Sequence, residues 1–145
     1  MCADRYKVLR EARRVHGSLP SVVDGLCAVA AARLHSALKD VGIHSTFLVT
    51  ENPDFSHVFL KVPNVDGQDM LLDITSSQFA PGAYVEFHPL EGLDTKKFDW
   101  WHDPQEVSTP EELLHLQQEA GWPEDQHVGA IVERTEPPQK ARRLS

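Results

Sequence analysis

Asp24-Gly25-Leu26-Cys27-Ala28-Val29-Ala30-Ala31-Ala32-Arg33-Leu34 is the stretch from which the fold is read. Its alanines and leucines favour helix, and Ser21 (with Asp24 three residues on) or Asp24 itself is placed to cap the start. If Asp24 caps, Cys27 takes the third helical position, within reach of the N-terminal dipole. At about 100° per residue, Ala31, Leu34, Leu38 and Val41 all fall within about 40° of Cys27, which centres the thiol on the apolar stripe and faces it to the core. Gly42 is placed to close the helix in the left-handed conformation.

Beyond Gly42 the pattern changes. Ile43 to Thr50 is rich in β-branched and aromatic residues, and two similar runs follow: His57-Val58-Phe59-Leu60-Lys61-Val62 and Met70-Leu71-Leu72-Asp73-Ile74-Thr75. Turn-forming residues separate them, which predicts three consecutive strands of an antiparallel sheet and an α+β fold class with the cysteine helix packed on that sheet. Folding the second hairpin about residues 64 to 67 sets position 57 opposite 74 and makes His57 and Asp73 neighbours on paired strands. A short fourth strand is expected over residues 83 to 87.

Cys27, His57 and Asp73 therefore stand in chain order as nucleophile, base and orienter. A thiol is a weak nucleophile until ionised, and its pKa falls from about 8.5 to roughly 3.5–7.5 beside a helix N-terminus or an imidazolium. The imidazole serves as base only when one nitrogen faces the sulfur and the other is held, commonly by a carboxylate.

The flanking sequence adds elements but no chemistry. Residues 4 to 16 read as a first helix ended by Gly17-Ser18-Leu19-Pro20, and residues 88 to 107 as an ordered loop. Thr109-Pro110-Glu111-Glu112 carries a capping threonine, a first-position proline and a capping-box glutamate, which predicts a helix over 110 to 120. Val128 to Val132 suggests an edge strand. Residues 1 to 133 read as a single domain, and 134 to 145 as a disordered basic tail.

Composition narrows the function classes. The chain has 145 residues, 41% of them hydrophobic, with no run near the roughly eighteen apolar residues of a membrane span. Met1-Cys2-Ala3-Asp4-Arg5-Tyr6 lacks the apolar core of a signal peptide, and two cysteines make no disulfide framework, so a reducing, cytoplasmic setting is expected. The net charge is −8, and residues 86 to 125 hold 11 acidic side chains against 2 basic ones. That balance argues against nucleic acid as a partner and leaves an acidic recognition face as an alternative use of the domain. The eight histidines form no His-x-x-x-His and the cysteines no Cys-x-x-Cys, so neither metal nor cofactor is expected.

A helix opened by cysteine, a strand led by His57-Val58-Phe59-Leu60-Lys61-Val62 and then Leu71-Leu72-Asp73-Ile74-Thr75 resembles the core of the transglutaminase-like and papain-like cysteine hydrolases. The continuation Asp73-Ile74-Thr75-Ser76-Ser77-Gln78-Phe79 is similar to the segment that follows the catalytic aspartate in small bacterial members and in toxin-type glutamine deamidases. The resemblance covers residues 20 to 82. It implies acyl transfer from a carboxamide on a protein or peptide substrate, with Cys27 as nucleophile, His57 as base and acid, Asp73 as its partner, and Thr75 and Gln78 supporting the site. The family's tryptophan after the cysteine is Ala28 here, and no glutamine precedes Cys27.

Overall fold

The computed structural model describes residues 3–20, 25–51, 56–75, 85–98 and 101–129. Helix α1 (Arg5–Gly17) and helix α2 (Cys27–Asp40) lead into strands β1 (Thr46–Glu51), β2 (Ser56–Val65), β3 (Gln68–Asp73), β4 (Glu86–Pro89) and β5 (Gln105–Val107), then helix α3 (Pro110–Ala120). The strands form one sheet in the order β4-β3-β2-β1-β5, and all neighbours run antiparallel. This is the expected α+β architecture, with the cysteine-bearing helix on the sheet.

Local chemistry explains the helix ends. Asp4 caps α1 through the amide of Tyr6, and Thr109 with Glu112 completes the capping box of α3, which Gly121 ends at φ +78°. After α2, Gly42 at φ +80° bonds Lys39 O and Ile43 bonds Leu38 O, a Schellman closure with its apolar contact. The start of α2 departs from expectation. Neither Ser21 nor Asp24 is the cap residue: Gly25 adopts φ +77°, Leu26 is the N-cap, and Cys27 is the first helical residue, not the third. A left-handed residue at 25 cannot belong to a right-handed helix, so the first turn begins two residues later.

The hairpin register also needs correction. Asp66 and Gly67 take φ +50° and +89°, so the β2–β3 turn is a tight one, and Asn64 at φ +55° accompanies a register shift between Val62 and Val65. Leu60 pairs with Leu72. The expected register would have set Leu60 opposite Leu71, one step away.

Phe47, Val49, Val58, Leu60, Val62, Met70, Leu72 and Ile74 of the sheet pack with Cys27, Ala31 and Leu34 of α2, Val8 and Ala12 of α1, and Leu113 of α3 as the main core. Leu48, Phe59 and Leu71 form a smaller cluster beneath Leu90, Leu93, Phe98 and Trp101. The 88–107 segment is therefore not all loop: it ends in β5, which covers the β1 edge through three pairs, Phe47 with Val107 first among them. Val128 and Gly129 are in no strand, and residues 130–132 of the expected edge strand lie outside the described residues, as does the basic tail. Among the described residues no helix is long and apolar enough to cross a membrane.

Candidate functional site

His57 is the second residue of β2, and its cross-sheet diagonal places the Asp73 carboxylate beside the ring. Nε2–H of His57 donates to Oδ2 of Asp73 at 2.7 Å, with both side chains buried. The other carboxylate oxygen is occupied as well: Oδ1 accepts from the backbone N–H of Thr75 at 2.9 Å and from its hydroxyl at 3.3 Å. Asp73 is thus aimed from two sides, and Phe59 lies against the histidine ring with centroids 5.8 Å apart.

Cys27 reaches the same point from α2. Cys27 is 4% exposed with a free thiol, and its side chain is close enough to the ring to raise the His57 pKa. The seam that Cys27 and Ala31 share with the facing strand residues, from Val58 to Leu60 and Leu72 to Thr75, leaves no room for a water molecule.

The electrostatics follow from these contacts. Burial is the largest single influence on His57 and pushes the ring toward neutrality. The Asp73 charge and hydrogen bond, joined by the hydrogen bond and charge of Cys27, outweigh it and hold the imidazole pKa up to about 10, against 6.5 for a free ring. His57 is an imidazolium at neutral pH, held between a carboxylate and a sulfur. The first intrahelical bond of α2 runs from Ala30 N to Leu26 O, so the amides of Cys27, Ala28 and Val29 precede the ladder and point out of the helix start.

Cys27, His57, Asp73 and Thr75, all picked from sequence, therefore meet at one place. Gln78 lies outside the described residues. Three features escape a reading of the sequence. Thr50 is the cross-strand partner of His57, wholly buried, with a hydroxyl that has no hydrogen-bond partner among the described residues. Glu51, the next residue, accepts from Trp122 Nε1 at 2.6 Å. Gln126 packs on Gly25, where a Cβ would fall 3.3 Å from its side chain. The segment from Trp122 to Val128 thus touches both the end of β1 and the entry to α2, and buried Gln117 fixes it by donating to Gln126 O and accepting from Val128 N. The strand pattern marks Thr50 as a sheet residue only, and the C-terminal contacts span about seventy to a hundred residues of sequence.

Among the described residues no group of three or more histidine, cysteine or acidic side chains is arranged to hold a metal ion. No family model, no curated protein and no solved structure matches the chain.

Proposed function

We propose that the protein is a cysteine-dependent hydrolase or acyltransferase acting on a carboxamide, of the transglutaminase-like type, with a protein or peptide as substrate. The observation that carries this reading is the buried pair of His57 Nε2 and Asp73 Oδ2 at 2.7 Å, beside a Cys27 side chain that also raises the pKa of the ring. Charge pairing of an imidazolium with sulfur is the arrangement from which a thiolate attacks.

In the first half-reaction the Cys27 sulfur adds to the amide carbon, and the oxygen takes up negative charge. The free amides at the start of α2 donate to that oxyanion. His57 passes its proton to the departing nitrogen, the C–N bond breaks, and ammonia or an amine leaves a thioester on Cys27. In the second, water or another amine gives a proton to His57 and its heteroatom bonds to the acyl carbon, while the C–S bond electrons return to sulfur. Asp73, anchored by Thr75, keeps the ring in one orientation through both steps.

Ammonia release from a glutamine-containing peptide library tests this: it should depend on Cys27 and be lost in Cys27→Ser. A second reading, a binding module, rests on a groove of about 410 Å³ between β5 and α3, in which Val107 and Leu116 are rimmed by Glu111, Glu112 and Glu119. Such a module would bind a basic partner equally well after Cys27→Ser and lose it on charge reversal at those glutamates.

A further inference from the structure

Helix α1 carries five arginine and lysine residues against one acid, Glu11, in a chain whose net charge is −8. Glu11 is buried and answers Arg14 at 2.7 Å and Arg10 at 3.7 Å, and Asp66 holds Arg5 at 3.4 Å. Lys7 and Arg13 are exposed and have no ion pair among the described residues. At about 100° per residue these two bound one face of α1, and Tyr6 lies between them. Its ring is 81% exposed, the one large apolar side chain so open among the described residues. An aromatic ring flanked by uncompensated cations fits an acidic surface with an apolar seat. The groove of about 410 Å³ between β5 and α3 has that form: Val107 and Leu116 are half-buried, and Glu111 and Glu119 stand exposed at its rim. Glu112 is spent on the capping box, whereas Glu111 has no ion pair among the described residues. The two surfaces cannot meet within one molecule. Arg5 of α1 lies 5.5 Å over the ring of Phe87 on β4, and β4 and β5 are the opposite edges of the sheet, four strand spacings or roughly 19 Å apart.

We propose that the β5–α3 groove binds helix α1 of a second copy of this chain: Tyr6 seats on Val107 and Leu116, and Lys7 and Arg13 reach Glu111 and Glu119. This contact rests on the groove reading given above and not on the chemistry at Cys27. Because the two surfaces differ, the association is head-to-tail. Each copy gives its helix to one neighbour and its groove to another, so the assembly grows into a ring or a chain. A helix of 13 residues is about 20 Å long, and one face of it covers well under the roughly 800 Å² per partner of a standard interface. The affinity is therefore micromolar or weaker. Copies of like net charge repel at long range, but at about 0.1 M salt that repulsion is screened beyond about 10 Å while opposite charges in contact still attract.

Sedimentation of the full-length protein, from micromolar to millimolar concentration, tests this. The mass of wild type should rise with concentration at about 0.1 M salt, and the association constant should fall about tenfold or more at about 1 M, where charges in contact are screened as well. A helix variant (Tyr6→Ala, Lys7→Glu, Arg13→Glu) and a groove variant (Glu111→Lys, Glu119→Lys) should each be monomeric alone. All five side chains are exposed, so neither variant disturbs the core. Mixed in equal amounts, the two variants should form a dimer and nothing larger, because one intact groove meets one intact helix; that dimer also shows both to be folded. Wild type that stays monomeric throughout would overturn the proposal, as would a mixture that stays monomeric. Association abolished by only one of the variants would overturn it too, since the altered surface would then serve a different occupant. A labelled peptide of arginine and tyrosine separates this proposal from the groove reading beneath it. Binding of the peptide to wild type but not to the groove variant, with wild type monomeric, would remove the second copy alone; no binding by either would remove the groove reading with it.

Discussion

Thr75 donates its backbone N–H and its hydroxyl to Oδ1 of Asp73, leaving Oδ2 for His57. The carboxylate is thereby oriented by its own chain two residues on, before the histidine is considered. Thr75→Val should remove one of these donors at a cost of about 1 kcal/mol in chemical denaturation, with little change in shape. The ring it steadies should suffer too: alkylation of Cys27 by iodoacetamide at pH 6 should slow in Thr75→Val, and slow further in His57→Ala, by about tenfold or more. Equal rates in all three proteins would detach the thiol from the His57–Asp73 pair.

The raised pKa of His57 makes stability depend on pH with a fixed sign. The folded ring keeps its proton up to about pH 10, whereas a free ring loses it near 6.5. Between those values the unfolded chain binds fewer protons, so this contribution is fully present below pH 6.5 and is lost as pH rises toward 10. Urea denaturation at pH 6, 8 and 10 should show wild type declining by on the order of a few kcal/mol more than Asp73→Asn, which lacks the charge that holds the proton. Parallel profiles would contradict the ion pair.

Gly25→Ala should be costly at two levels. A side chain at φ +77° is strained by about 1–2 kcal/mol, and its Cβ would press on Gln126. Since Gly25 lies two residues before Cys27, thiol alkylation should change along with the melting temperature. A loss of stability with unchanged Cys27 reactivity would show that the Gln126 contact serves the fold alone.

Thr109→Ala offers the contrast. It breaks the capping box of α3 and should cost about 1 kcal/mol while leaving Cys27 alkylation untouched.

What was legible in the sequence, and what was not, divides along physical lines. The capping box at Thr109 and Glu112 and the Schellman glycine at 42 are local devices, complete within five residues, and the helix ends they predict are the ones found. The gathering of Cys27, His57 and Asp73 was legible from their order and strand context. The register of Leu60 on Leu72 was not, because the shift between Val62 and Val65 depends on backbone that the residue pattern leaves open. The two-residue error at the start of α2 arises from the positive φ of Gly25, whose missing Cβ is crowded by Gln126 from a hundred residues away. Strand β5 is three residues long, too short for a period, and exists because β1 presents it an edge. Thr50 is invisible as a site residue until the ladder sets it opposite His57.

The central claim is that Cys27 carries an acyl group between two halves of a reaction on an amide. The most direct measurement is mass spectrometry of the Cys27 peptide after rapid acid quench of wild-type protein mixed with a glutamine-containing peptide library, alongside ammonia release. The proposed mechanism predicts a thioester adduct on Cys27, released ammonia in step with it, and neither in Cys27→Ser. Retention of bound peptides by both proteins, with no adduct and no ammonia from either, would contradict the mechanism and leave the β5–α3 groove as the working surface.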